Sequence, residues 1–101
     1  MIFIVPSFSS KITSISSKSK KVTLKWKKSS SATGYYVYRS TEKDGEYKKI
    51  ATVKGASKTS YKDSKGLKKG RTYYYRIVAY KTTDKVIAKA KAGNTKSVKV
   101  K

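Results

Sequence analysis

The acidic side chains of this 101-residue chain are few, and they limit the chemistry that it can perform. Three of the five, Glu42, Asp44 and Glu46, are two residues apart, a spacing superficially similar to that of a calcium loop. A dedicated calcium site needs about six to eight oxygen ligands, and Lys43 and Lys48 interrupt this run. Nothing indicates two carboxyl groups held across a cleft, as glycoside hydrolysis requires. We therefore expect neither a metal site nor a glycosidase pair.

Nucleophilic catalysis is also poorly supported by the residue types. The chain has many serines but no histidine and no cysteine, which excludes a Ser–His arrangement, a disulfide and a thiolate or imidazole metal site. No serine lies in a Gly-x-Ser-x-Gly sequence, and no glycine-rich phosphate loop is present. A Ser–Lys dyad stays open, since lysines are everywhere. We predict a protein that is not an enzyme, with no catalytic residues and no cofactor.

The net charge is extreme, at +21, with 26 basic residues against five acidic ones. Nucleic acid, an anionic membrane surface and anionic wall polymers are all electrostatically suitable partners. Only three of the basic residues are arginines, whereas nucleic-acid recognition more often uses the planar arginine fork. This balance favours a solvated lysine coat over a dedicated polyanion site, and it makes nucleic acid the less expected partner.

The chain length corresponds to one domain. Residues 1–10 are apolar as far as Pro6, but the run is shorter than a signal peptide core and lacks a basic start. We interpret them as a leader, a linker remnant or an extra edge strand, and residues 11–101 as the domain. No run approaches the roughly 20 apolar residues of a membrane span.

Period-2 alternation and glycine or polar turns predict about seven short β-strands, with no useful helical periodicity. A loop is expected over Lys81–Lys85. The expected strands are Lys11–Ser16, Lys21–Lys27, Gly34–Ser40, Tyr47–Val53, Thr59–Asp63, the long run that ends at Tyr80, and a last strand over Val86–Val100 interrupted near Gly93 and Asn94.

The longest run begins as a turn at Leu67 and Gly70 and continues as a strand from Tyr73. Its tyrosine can lie across the preceding loop and hydrogen-bond the backbone, as in the tyrosine corner of β-sandwiches. Alternation places one set of side chains on each face of a strand, and in the third strand Arg39 shares a face with Tyr35 and Val37. The predicted core comprises Trp26, Tyr35, Val37, Leu67, Tyr73, Tyr75 and Ile77.

Together these residues resemble the fibronectin type III family, in the form found in exported proteins of Gram-positive bacteria. The resemblance covers about residues 11–100. Its motifs are Val22–Trp26, Ala32–Ser40, Gly45–Tyr47, Ile50–Val53, Tyr61–Asp63 and Leu67–Ala79.

The resemblance implies an all-β fold, a seven-stranded antiparallel immunoglobulin-like β-sandwich with strands A, B and E in one sheet and C, C′, F and G in the other. Lys69 stands where animal members usually carry proline. The loop at Lys81–Lys85 lacks the Arg-Gly-Asp of the integrin-binding member, so integrin binding has no support.

If strands C and F are neighbours, a stripe of aromatic and cationic side chains points outward from one sheet. Such side chains can stack on sugars or bases and hold anionic groups. The alternative is cross-strand pairing that only stabilises the sheet, and we favour it. The stripe consists of Tyr36, Tyr38, Tyr74, Arg76 and Tyr80.

The leading functional hypothesis is a non-catalytic extracellular or cell-wall-associated module, a spacer, scaffold or adhesion unit in a larger bacterial surface or secreted protein. Its partners would be neighbouring domains and anionic wall polymers or carbohydrate, and we expect a monomer. One alternative is a carbohydrate-binding module that uses the stripe. Another is a charge-driven binder of nucleic acid or other polyanions.

Overall fold

The computed structural model of the protein describes residues 10–29, 32–83, 86–89 and 93–101. These residues contain eight β-strands. Within these ranges, no helix is long and apolar enough to cross a membrane. The strands are β1 (Ile12–Lys18), β2 (Lys21–Trp26), β3 (Gly34–Ser40), β4 (Lys48–Lys54), β5 (Ser60–Asp63), β6 (Thr72–Thr83), β7 (Val86–Lys89) and β8 (Thr95–Lys99).

The strands form two antiparallel sheets, one of three strands in the order β1-β2-β5 and one of five. The second sheet has the order β4-β3-β6-β7, and β8 also pairs with β6. The predicted all-β sandwich is therefore confirmed. The count is eight because the predicted last strand is two strands, which pair with opposite ends of β6. The predicted loop is wrong for residues 81–83, which pair with residues 86–88 and extend β6.

The core lies between the sheets and consists of alternate side chains from both. Every residue of the predicted core belongs to this buried cluster, which also contains Ile12, Val22, Leu24, Ala79 and Val100. Trp26 and Tyr35 contact edge to face, with ring centroids 5.4 Å apart. The Tyr35 hydroxyl donates a hydrogen bond to the carbonyl of Ala56 and accepts one from the amide of Ser29. A buried phenol thus keeps its polar end satisfied while its ring fills the core.

The corner before β6 has the predicted hydrogen bond. The Tyr73 hydroxyl accepts from the Lys68 amide at 3.0 Å, while the Tyr73 ring is almost fully buried. Gly70 has φ of 86°, a conformation that glycine adopts without steric strain. Lys69 is exposed, and the corner forms with lysine at this position.

Replacing Tyr73 with phenylalanine is expected to lower the free energy of unfolding by about 1–2 kcal/mol, because the Lys68 amide loses its acceptor. Denaturant melts of the two proteins measure this difference. Tyr61→Phe is the control, since no hydrogen bond of the Tyr61 hydroxyl occurs among the described residues. Equal stability of wild type and Tyr73→Phe would contradict the role of the corner.

Hydrogen bonds also join the edges of the two sheets, at both ends of β1. At one end, the Asn94 side chain accepts from the Ile12 amide and donates to the Ile12 carbonyl. At the other end, the Lys101 carbonyl accepts from the Lys20 amide, and the Lys101 amide donates to the Ser17 hydroxyl. These bonds hold β1 alongside the segment that contains β8.

The proposed boundary after residue 10 stays a prediction, because residues 1–9 lie outside the described ranges. Ser10 itself is only 1% exposed. Its carbonyl lies close to Gly93, where a β-carbon would collide with it. The last residue of the predicted leader is therefore packed against the domain.

Candidate functional site

The five side chains of the predicted stripe do lie on one face of the five-stranded sheet. β3 and β6 are neighbours, as the stripe requires, and Tyr38 lies opposite Arg76 in their register. Tyr36 lies opposite Val78, Gly34 opposite Tyr80, and Ser40 opposite Tyr74. Because alternate residues of a strand share a face, this register brings the stripe together on the side of the sheet away from the core.

The expectation that the whole stripe is exposed is wrong for Tyr36 and Tyr80. Their rings stack with centroids 4.4 Å apart at 16°, and the two residues are only 8% and 6% exposed. The ammonium of Lys49 lies 4.6 Å from the Tyr36 ring centroid, and that of Lys89 lies 5.8 Å from it. Cross-strand pairing therefore covers the ring faces on which a sugar or base would stack.

Gly34 makes the stack possible, because it has no side chain at the position directly opposite Tyr80. A β-carbon there would lie 2.7 Å from the Tyr80 hydroxyl oxygen and 2.9 Å from Cε2. The Tyr80 ring thus occupies the space that a larger residue would fill. Burial in this position raises the pKa of the Tyr80 hydroxyl, and the neighbouring Tyr36 phenol raises it further.

The rest of the stripe is half-buried, and its cation is engaged within the protein. The Arg76 guanidinium lies 3.9 Å from the ring centroid of Tyr47, and Nε donates to the Thr95 hydroxyl at 2.8 Å. Tyr47 in turn donates a hydrogen bond to the Lys43 carbonyl. Tyr38 and Tyr74 are the stripe aromatics that keep partial exposure. Ligand binding by this face stays a prediction, restricted to a smaller surface than expected.

Sequence reasoning missed Tyr47 as a member of this surface. The sequence predicted Tyr47 as the first residue of a strand, but β4 begins at Lys48, and Tyr47 lies between the Asp-Gly turn and the strand. A signal was present in composition, since an outward arginine among several tyrosines can lie over one of their rings. The partner could not be identified without the fold of the turn.

A buried carboxylate is the second feature that sequence reasoning missed. Asp63 is fully buried and accepts hydrogen bonds from Arg39 Nη1 at 2.8 Å, from the Tyr75 hydroxyl at 2.7 Å and from the Lys65 amide at 3.2 Å. Arg39 Nη1 also donates to the Lys65 carbonyl at 2.8 Å. The available signal was that Arg39 shares a face with Tyr35 and Val37, because a cation beside core residues needs an anionic partner.

The ionisation of this cluster favours a structural role. Burial raises the pKa of the Tyr75 hydroxyl, and its hydrogen bond to Asp63 raises it further. Burial alone would lower the pKa of Arg39, but the hydrogen bond and charge of Asp63 outweigh it and raise the pKa. Asp63 lies on the three-stranded sheet, and its two side-chain donors lie on the five-stranded sheet. The cluster therefore links the two layers of the sandwich.

The acidic turn residues Glu42, Asp44 and Glu46 are exposed. Among the described residues, no three acidic, cysteine or histidine side chains are close enough together to hold a metal ion. A nearby depression has a volume of about 240 Å³. Among the described residues, its lining consists of Arg39, Ser40, Thr41, Glu46, Lys48 and Ile50, and Glu46 supplies the one carboxylate. This lining contains no second carboxyl group to act with Glu46.

The arrangement of sheets and corner agrees with a comparison against protein families. A model described as the fibronectin type III domain matches residues 6–91. The chain belongs to the fibronectin type III family. The search of curated protein sequences found no match.

In solved structures, the fold of this fibronectin type III domain occurs both as nearly a whole chain and as part of longer chains. A Fn3-like protein from Clostridium thermocellum is 27% identical with a TM-score of 0.70, and the match covers 94% of this chain and 96% of that one. A β-1,2-glucanase from Parabacteroides distasonis is 18% identical with a TM-score of 0.78, covering 91% of this chain and 12% of that one. The pectate lyase PelI from Erwinia chrysanthemi is 21% identical with a TM-score of 0.67, covering 88% and 27%. At these low identities, the two enzymes share the fold with this domain.

Proposed function

We propose that this fibronectin type III domain is a non-catalytic extracellular module, a spacer, scaffold or adhesion unit in a larger bacterial surface or secreted protein. The observation that carries the proposal is the size of the match: a similar domain forms 12% of one enzyme's chain and 27% of another's. In those two enzymes, a unit of this kind is one part of a longer chain.

The geometry of the described chain supports the spacer role. It enters the sandwich near Ile12, which pairs with Trp26, and it leaves beside the opposite end of β1, where Lys101 contacts Ser17 and Lys20. Seven residues of strand separate these points by about 20 Å. Flanking domains would therefore be held apart along the sandwich.

The charge supports adhesion to an anionic wall. With a net charge of +21, the domain is attracted to wall polymers at short range, and salt screens the attraction beyond about 8 Å at physiological ionic strength. The attraction needs no ligand pocket, so it is compatible with an engaged Tyr/Arg stripe.

Sedimentation with purified bacterial cell walls tests the adhesion part. We expect the 101-residue chain to pellet with walls at about 0.1 M salt and to remain in solution at about 1 M, where the Debye length falls to ~3 Å. Lysine-acetylated protein is the control, since it loses the charge and should stay in solution at both concentrations. Binding of wild-type protein that ignores ionic strength would contradict the electrostatic mechanism.

The carbohydrate-binding alternative has weaker support. Stacking on a sugar needs an open aromatic face, and two of the four stripe tyrosines are buried against each other. Tyr38 and Tyr74 are the residues through which this alternative would act. Nucleic-acid binding rests on net charge alone.

A further inference from the structure

The outer face of the three-stranded sheet carries side chains of only two chemical kinds. Strand register brings together hydroxyl groups and ammonium groups, and neither an acidic nor an aromatic side chain occupies an outward position of β1, β2 or β5 between residues 14 and 62. The outward side chains are Ser14, Ser16, Lys18, Lys21, Thr23, Lys25, Ser60 and Lys62.

The lysines of this face are close together. Lys18 lies directly opposite Lys21 on the neighbouring strand, and Lys62 lies directly opposite Thr23, one pleat further along. Opposed like charges destabilise a sheet, and the acidic residue of β5, Asp63, faces the core instead. The sheet therefore carries a local positive charge that its own side chains do not neutralise.

A shallow depression occupies the middle of this lysine group. Its volume is about 360 Å³, and its lining alternates cations with hydroxyl donors. An oxyanion in it can receive charge-assisted hydrogen bonds from ammonium groups and further bonds from hydroxyls. The lining residues are Ser16, Lys18, Ser19, Lys21, Thr23 and Lys62.

We propose that this lysine–hydroxyl face binds a linear phosphodiester polymer of the poly(glycerol phosphate) type. The inference rests on the electrostatic part of the proposed function and assigns it to one site. Lysine binds phosphate as a point charge, and this face lacks the planar arginine fork that bidentate recognition uses. The absence of aromatic side chains from its outward positions leaves no surface on which bases stack.

The width of the face also fits one thin chain. Three strands span about 10 Å, and the outward lysines at residues 21 and 25 are about 13 Å apart along β2. A flexible polymer can follow the strands and place successive phosphates near successive ammonium groups. Each contact releases a counterion, so the affinity falls as salt rises.

The test compares two triple variants that lose equal charge. The face variant loses three charges of the lysine–hydroxyl face through Lys18→Ser, Lys21→Ser and Lys62→Ser. The control variant loses three charges at exposed positions elsewhere through Lys43→Ser, Lys54→Ser and Lys69→Ser. Affinity for lipid-free poly(glycerol phosphate) is measured by calorimetry at several salt concentrations. Denaturant melts establish that both variants fold.

We expect the face variant to bind about tenfold or more weakly than wild type. The slope of log affinity against log salt should fall by about 2, the counterion release lost with three phosphate contacts. The control variant should stay within about threefold of wild type. Equal losses in both variants would overturn the inference and leave general electrostatic adhesion standing.

Two further arms separate the ligand classes. Polygalacturonate carries carboxylates and duplex DNA carries phosphates on a wide double helix. If either binds as tightly as poly(glycerol phosphate) and loses the same factor in the face variant, the assignment to a linear phosphodiester polymer is overturned. If wild type sediments with walls in a salt-dependent manner but does not bind the polymer, the inference fails and the proposed function survives.

Discussion

Replacing Asp63 with alanine is expected to lower the free energy of unfolding by roughly 3 kcal/mol. The variant leaves the Arg39 guanidinium without its counter-charge and the Tyr75 hydroxyl without its acceptor. Removing one partner of a buried pair costs about 3–5 kcal/mol, and the lower end applies because the Arg39 side chain is 22% exposed and can regain water. A domain of this size has only about 5–15 kcal/mol in total, so much of its stability depends on one carboxylate.

Urea or guanidinium melts give the measurement, with Asp44→Ala as the matched control. Asp44 is an exposed aspartate in a turn, and its removal should change stability by no more than about 0.5 kcal/mol. A triple replacement, Arg39→Met with Asp63→Leu and Tyr75→Phe, removes every side chain of the cluster together. It should recover much of the loss, since a buried ion pair is often replaceable by apolar residues of similar volume. A loss below about 1 kcal/mol for Asp63→Ala would show that the link between the sheets is unimportant.

The second large effect is expected at Gly34, where alanine should destabilise the domain by about 2–3 kcal/mol. The added β-carbon would collide with the Val53 carbonyl of the neighbouring strand and with the Tyr80 ring. Overpacking of this kind costs about 1–3 kcal/mol, and here one of the obstacles is backbone. We also expect the Tyr36–Tyr80 stack to open, which near-ultraviolet circular dichroism of the tyrosines would detect.

A double-mutant cycle separates the two collisions. In a Tyr80→Ala background, Gly34→Ala should cost about 1 kcal/mol less than in wild type, because only the Val53 contact remains. Gly66→Ala is a comparison without a collision, since the added β-carbon would meet open space. Its cost comes from the backbone, because φ of Gly66 is 64°, where alanine is strained. It should cost about 1 kcal/mol. Additive effects of Gly34→Ala and Tyr80→Ala would refute the steric account of the stack.

Alternation was sufficient to assign most of the sandwich from sequence. A period of two residues decides which face a side chain takes, and it placed Tyr75 and Ile77 in the core whatever the partner strand is. The corner could also be predicted from the sequence, because Leu67, Gly70 and Tyr73 are close in sequence and form a local structure. Both predictions depend on short-range order.

Alternation could not predict which side chains of the outer face are exposed. Tyr36 and Tyr80 are buried because β3 and β6 pair in a register that puts Gly34 opposite Tyr80, two residues that are far apart in the sequence. Asp63 is similar, since its two side-chain donors are 24 and 12 residues distant. Alternation placed Arg39 on the same face as Tyr35 and Val37 but could not identify its partner. The unpredicted parts of the site are therefore the long-range pairings.

The bonds at the two ends of β1 determine how the domain would respond to tension. β1 and β8 run in the same direction, since Ile12 contacts Asn94 at one end and Ser17 contacts Lys101 at the other. A force that pulls the chain outward at both ends slides these segments past each other. The Asn94 and Lys101 bonds then carry the force together, whereas strands peeled apart from one end would lose their bonds in sequence. In a protein anchored at one end and pulled at the other, this domain would yield as a unit.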